Sequence, residues 1–322
     1  MVRFLFLNFG YCFFGWCCNQ QLRDANHLSS LIDSSSTAGV HWTRIFEHAE
    51  WTKSYNYQMF STRDSLWMFH PDGVWNSADG IQWTRTSLGN PINNQAFLDY
   101  VEFKNCIYGL GYFEGNIERY TFRPIIFRTC DFQHWDTLSL ESNLPERFFY
   151  HPFVWLDKIW IFGGSHTGKD FDDLWNSSDG VHWQKVKDGL PMGKRSGSQI
   201  IQHNKMLYLL NHDVWTSTDA IHWKNLTKFI APGEQLFGYT AIVFDQRIWL
   251  LGCNRDGLFS SQVLSSEDGI QWKSEQAPWL PRGGLVAARH RNKVFITGGK
   301  YGGTPQHTEF RYDNDLWVMD KE

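Results

Sequence analysis

The chain has no long basic run. Its 30 Lys and Arg are offset by 34 Asp and Glu, giving a net charge of −4 and a pI near 6.3. That excludes a phosphate-neutralising surface, and nucleic acid is not an expected partner. No apolar run is long enough to span a membrane; the longest, Phe4 to Trp16, covers 13 residues where a span needs about 20. The cysteines make no framework. Three of the six fall at 12, 17 and 18. Cys106, Cys130 and Cys253 are spaced for neither metal binding nor a disulfide set, and read as buried apolar thiols in three different repeats. No nucleophile–base constellation stands out, so no catalytic residue is assigned and neither metal nor cofactor is expected.

Aromatic residues are abundant instead: 17% of the chain, with 17 Trp. They are ordered. Five times a large residue is followed by Ser or Thr two places on, Asp four on and Trp eight on. The copies begin at Trp75, Phe127, Trp175, Trp215 and Leu264, and the closing tryptophans (83, 135, 183, 223, 272) lie 52, 48, 40 and 49 residues apart. A repeat of that length is one supersecondary unit copied around a ring or along a stack. Before Asp the residues alternate as in a strand. Asp-Gly then makes a turn, since Gly accepts positive φ and Asp bonds the backbone two residues on. Phe132 and Ala220 replace that Gly, so those turns need either negative φ or strain. The Trp starts an outer strand.

Upstream of each motif lie two more apolar runs joined by a tight turn, for example 151–156 with 159–164, and 240–245 with 248–253. Each unit is thus four antiparallel strands, the composition of a propeller blade. The last unit reaches its third strand at Trp317 and the chain stops at Glu322. The segment around Trp42 carries the second half of a motif without the strands before it. Joining the two gives an all-β, six-bladed β-propeller whose last blade is closed by the N-terminal strand around Trp42, leaving no open sheet edge.

At these residues the chain resembles the kelch-type (galactose-oxidase-like) propellers. Gly163-Gly164 and Gly298-Gly299 match the kelch diglycine, and Asp-Asp-Leu-Trp (172–175) and Asn-Asp-Leu-Trp (314–317) match its third-strand entry. The turn is similar to the Asp-box turn of sialidase-like propellers. The resemblance covers roughly residues 40–320 and implies a loop face built from the connections between second and third strands and those leading into the inner strands.

By domain, residues 1–20 read as a signal peptide or apolar leader, 21–39 as a linker and 40–322 as the propeller. The leader implies export to the periplasm, cell surface or medium; without it the protein would be cytoplasmic. Asn176-Ser-Ser and Asn225-Leu-Thr match the glycosylation triplet.

The second-to-third-strand connections are long at 111–124, 164–173, 252–261 and 299–314 and short in the other two units, which predicts a rim with a wall on one side and a low edge on the other. Arg147, Arg195 and Arg282 recur before inner strands, with Tyr57, Gln95 and Tyr239 taken as occupying the same slot elsewhere. Converging arginines would hold a carboxylate or phosphate; the alternative is structural contact with neighbouring loops. With His166, Arg255 and Tyr301 on the long loops (beside Glu114, Lys300 and His307), they form the candidate ligand-binding face. The repeated His41, His134, His182 and His222, and the turn aspartates, read as scaffold spread around the rim.

Two functions compete. One is a binding module, a monomeric propeller that holds a protein or an acidic glycan. The other is a carbohydrate-active enzyme. The resemblance implies a sialic-acid mutarotase/epimerase or a sialidase-like hydrolase, although the sialidase Arg-Ile-Pro fails here because Phe46 follows Arg44-Ile45. The copper-oxidase ligand set cannot be placed.

Overall fold

A computed structural model describes residues 34–37, 39–55, 57–91, 98–116, 119–303 and 308–321. Residues 1–20, Gln95 and His307 lie outside them. Among the described residues every regular element is a strand, and no helix is long and apolar enough to cross a membrane.

Six antiparallel sheets account for most of the chain. The first contains Gln58–Thr62, Ser65–His70, Gly73–Ser77 and Thr84–Arg85. The second has Tyr100–Phe103, Cys106–Asn116, Arg119–Thr129 and Asp136–Ser139. The third has Phe153–Trp155, Lys158–Phe162, Leu174–Ser177 and Gln184–Lys187. The fourth has Gln199–His203, Met206–Leu210, Val214–Ser217 and Lys224–Thr227. The fifth has Thr240–Phe244, Arg247–Leu251, Gln262–Ser266 and Lys273–Gln276. The sixth joins Val286–His290, Lys293–Thr297 and Leu316–Lys321 to the N-terminal Val40–Phe46. That last pairing runs Val40↔Lys321 to Phe46↔Leu316. A fifth strand, Ser34–Thr37, pairs outside it, in the stretch read from sequence as linker.

Each pair of neighbouring sheets shares an apolar cluster, the sixth sheet with the first included. Trp42 is fully buried where the sixth sheet meets the fifth, with its ring edge-to-face on Trp249 (6.2 Å) and Trp279 (5.0 Å). Trp51 meets Trp75 and Trp83 in the same way at the junction with the first. Flat rings placed edge to face fill a gap between sheets while burying much area.

The repeated motif is one hydrogen-bonded turn. The Asp79 carboxylate accepts from the Ile81 and Gln82 amides (2.8 Å each) and from the Ser77 hydroxyl (3.1 Å), and Ser77 Oγ accepts from Gly80 N (2.8 Å). The amide bonds hold Asp79 below the usual carboxylate range. The other copies repeat this around Asp131, Asp179, Asp219 and Asp268. Phe132 (φ 60°) and Ala220 (φ 66°) adopt the left-handed conformation despite their side chains. The outer strands begin just after the Trp, not on it. His134, His182 and His222 each bond their own turn Asp at 2.7–2.8 Å.

The turns from inner to second strand all have two residues, of the kind whose positive φ suits strand twist. Leu156-Asp157 (φ 48° and 55°) makes the third, one position earlier than the sequence reading, because Trp155 pairs with Lys158.

Cysteine usage needs correcting. Cys106 and Cys130 belong to one sheet and form a disulfide, with Cα atoms 4.3 Å apart. They stand opposite each other one step beyond the Ile107↔Thr129 pair. The long second sheet, with its bulge between Leu110 and Tyr112, hid this register from sequence. The same slot holds ion pairs elsewhere: Arg247–Glu267 (2.9 Å) in the fifth sheet and Lys293–Asp320 (3.4 Å) in the sixth. Cys253 is free and buried, and burial pushes its thiol up to about 12.

The turn glycines differ in what surrounds them, which gives a test. A Cβ on Gly80 (φ 76°) would fall 2.0 Å from Phe295 Cε1 of the sixth sheet, whereas one on Gly89 (φ 63°) would meet nothing within 4 Å. We expect Gly80→Ala to cost about 3 kcal/mol or more, from backbone strain plus overpacking, and Gly89→Ala about 1 kcal/mol. Urea denaturation of both variants measures the gap.

Candidate functional site at the channel mouth

The inner strands of the six sheets lie side by side: the second touches the third, and contacts run on from the fourth through the fifth and sixth to the first. Between the inner strands of sheets two to five lies a cavity of about 360 Å³, lined by Val101, Phe153, Ile200 and Ala241 among others. The connections before the inner strands gather at one end of it.

The long loops there are folded. They extend the second sheet's hairpin to Asn116 and Arg119, and form small hairpins at Ser165–His166/Lys169–Asp170, Cys253–Arg255/Leu258–Ser260 and Lys300–Gly302/Phe310–Tyr312. These rise on sheets two, three, five and six. The low sheets, one and four, are separated by two high ones in either direction. The rim therefore has two opposite gaps, not a wall facing a low edge.

The three recurring arginines each close a clamp within their own sheet. Arg147 donates to both carboxylate oxygens of Asp173 (2.7 and 3.1 Å) and to the Gly163 carbonyl (2.6 Å), and its guanidinium lies over Phe171. Arg195 forks onto Asp213 (2.6 and 3.3 Å). Arg282, fully buried, forks onto Asp315 (2.7 and 2.8 Å) with Asp313 at 3.1 Å. Each aspartate also accepts from the indole two residues on, Trp175, Trp215 or Trp317, at 2.7 Å. Burial alone would raise the Asp173 pKa; the bonds from Arg147 and Trp175 outweigh it and hold the carboxyl below its usual range. The diglycines make room for the arginine. A Cβ on Gly164 (φ 88°) would meet Phe148 O at 2.6 Å, and one on Gly299 (φ 105°) would meet Gly283 O at 3.1 Å and Arg282 Cδ at 3.2 Å.

Tyr57 and Tyr239 do not share the arginine slot. Arg147, Arg195 and Arg282 stand eight residues before the last residue of their inner strands, where sheets one and five have Ser54 and Leu236. The tyrosines stand five before it, with Tyr150, and reach across to the preceding sheet. Tyr150 donates to Leu110 O (3.0 Å) and Tyr239 to Asn211 O (2.7 Å), while a Cβ on Gly298 of the sixth sheet would fall 2.5 Å from the Tyr57 hydroxyl. His166 faces Glu146 (3.6 Å), Arg255 is held by Glu234 (2.7 Å) and by Gln262, and Tyr301 is half-buried in its hairpin. The sequons are engaged too. Asn176 is buried, and the Asn225 amide donates to Val214 O and Thr227 O.

Two groups escaped sequence reasoning. The first is a collar of loops. Gly197 N donates to Phe149 O (2.8 Å), and Gly284 N to Gly238 O (2.6 Å). Phe149 and Phe237 stand 45% and 55% exposed on it. The second is a ring one turn below, four residues before the last residue of each inner strand: Gln58, Asp99, His151, Gln199, Thr240 and Val286. Burial pushes Asp99 up to about 7, opposed by a bond from Gln58, and pushes His151 down to about 4. His151 is thus uncharged at neutrality, while Asp99 titrates through it, as a group suited to proton transfer does. Among the described residues no group of three His, Cys, Asp or Glu is placed to hold a metal ion.

The sequence profile of the DUF6242 beta propeller domain matches residues 134–320, more than half of the chain. No curated protein sequence matches. Many solved structures do; one, titled "Structure of YjhT", a propeller protein, aligns over 85% of this chain and 96% of its own with a TM-score of 0.67 at 12% identity. A likeness at that identity speaks for the fold alone.

Two measurements follow from the geometry. Arg282→Leu leaves Asp315 buried without its partner and should cost about 3–5 kcal/mol, and adding Asp315→Leu should recover part of it; a denaturation cycle reads this directly. Asp99 has a folded pKa above its unfolded value of about 3.9, so its contribution is present at low pH and is lost as pH rises toward 7. Asp99→Asn should therefore be more stable than wild type at pH 8, by about 1–2 kcal/mol given partial access of water, with the gap narrowing below pH 7 and closing near pH 4. Melting curves across that range check the sign.

Proposed function

The chain belongs to the DUF6242 beta propeller domain family, and on that footing we propose a six-bladed, kelch-type propeller that acts as a binding module for a protein or glycan ligand, held at the loop face over the channel mouth. The observation that carries this reading is the convergence there of folded hairpins, exposed aromatics and a ring of inner-strand positions that is polar in five of six sheets, while the rest of the repeat is built into turns and clamps. A closed ring leaves no sheet edge to extend, which favours a monomer. A disulfide fits an oxidising compartment, and so favours export.

Asp99 favours one alternative, a carbohydrate-active enzyme of the mutarotase type. A carboxyl titrating near neutrality two residues from the cavity-lining Val101 is a candidate acid–base group. Saturation-transfer measurement of anomer exchange, with Asp99→Asn as the control, decides that question.

The binding reading is tested by thermal shift against panels of acidic and neutral sugars, using His166→Ala, Arg255→Ala and Tyr301→Ala. Arg63→Ala and Lys104→Ala, at the opposite end of the channel, serve as controls. A ligand-induced rise of a few degrees should vanish in loop-face variants and survive in the controls. A rise that only the control substitutions remove would sink the proposal.

A further inference from the structure

We propose that the loop face takes an uncharged, linear oligosaccharide, laid across the channel mouth from the fourth sheet to the first. The inference rests on the loop-face reading above and narrows its ligand class.

The rim sets the shape. Hairpins rise on sheets two, three, five and six, while sheets one and four carry only the short connections 71–72 and 211–213. A mouth with two opposite gaps is a trough open at both ends. A chain polymer passes through such a trough, whereas a single sugar or a metabolite is better held by a pocket closed all round.

The fourth-sheet gap supplies a platform. Phe149 and Phe237 flank it on the loops of the third and fifth sheets, and between them stands Gly197, bonded through its amide to Phe149 O. A Cβ at Gly197 (φ 69°) would lie 3.0 Å from Phe237 Cε2, so the Phe237 ring lies over a residue with no side chain, while the Phe149 ring stands beside Phe148 with centroids 6.0 Å apart. Phe149 holds φ +52°, a costly conformation for a bulky residue. A pyranose has one apolar face ringed by hydroxyls. It lies flat on an aromatic ring while the hydroxyls reach polar groups at the edge.

Charge argues for a neutral chain. The arginines of this face are engaged internally: Arg147, Arg195 and Arg282 in their clamps, Arg255 with Glu234, and Arg123 with Glu114 at 2.6 Å. An acidic sugar would find none of these five guanidinium groups open, and would depend on exposed lysines such as Lys169 and Lys194. Backbone pairing argues against a peptide. The collar amides of Gly197, Gly283 and Gly284 donate to Phe149, Lys300 and Gly238, so these three are already taken and offer nothing to an added strand.

Isothermal titration of the intact chain with cellohexaose, xylohexaose and chitohexaose, their disaccharides, 3′-sialyllactose and hexagalacturonate tests this. At least one neutral hexasaccharide should bind about tenfold or more tighter than its disaccharide. Phe149→Ala and Phe237→Ala should each weaken it by about tenfold, while Phe237→Tyr retains binding and melting temperatures stay near wild type. No binding by any neutral hexasaccharide overturns the inference. Preference for the acidic sugars, lost in the Phe variants, overturns it while leaving the loop-face reading standing. Neutral binding indifferent to both phenylalanines and to loop-face substitutions overturns both.

Discussion

Everything in this molecule depends on the seven-residue N-terminal strand Val40–Phe46 finding the last strand of the chain, Leu316–Lys321. Without it the sixth sheet would end on an open edge, and Trp42 could not reach Trp249 and Trp279. Because every apolar cluster lies between two sheets, each sheet is half of two cores. A ring built this way has no beginning in space, only in sequence. Its non-local closure must form after the long intervening chain is in place, the condition under which β-rich topologies fold slowly.

Two polar devices then repeat around that ring. At the outer end, Ser and Asp satisfy the amides of a turn whose backbone would otherwise be left without partners. At the loop end, Arg forks onto an Asp that also receives an indole N–H. Buried charges of this kind are tolerated because the carboxylate is met by both a guanidinium fork and an indole N–H. Much of what looks reactive in the sequence serves these devices. What remains for a ligand is the part that does not repeat: the hairpins, the two exposed phenylalanines and the polar ring.

The periodic parts were legible. The S-x-D spacing, the apolar runs and the half-motif at Trp42 each carry their own local physics, and the all-β, four-stranded architecture follows from them. The clamp also had a signal, because an Asp stands two residues before Trp175, Trp215 and Trp317 opposite each recurring Arg. The rest depended on register. Cys106 meets Cys130 only because Ile107 pairs with Thr129 in a bulged hairpin, and one residue of slip would part them. The tyrosines were aligned with the arginines because loop length before the inner strand cannot be read without knowing where that strand ends. Phe149 and Phe237 gave no signal, since loops have no period, and Asp99 is an ordinary aspartate until the neighbouring sheets surround it.

The cross-strand slot that holds Cys106 and Cys130 has equivalents in every sheet, filled by a covalent bond in one and by ion pairs in two others. The repeat therefore carries a modular socket. Its occupant sets how firmly a given sheet is fastened without altering turn, register or core. Ser65 with Ala78, and Lys158 with Ser178, sit in the same socket and are natural places to graft a second or third cystine. Fastening strength in this architecture is thus a dial that can be turned blade by blade, independently of what the loop face evolves to hold.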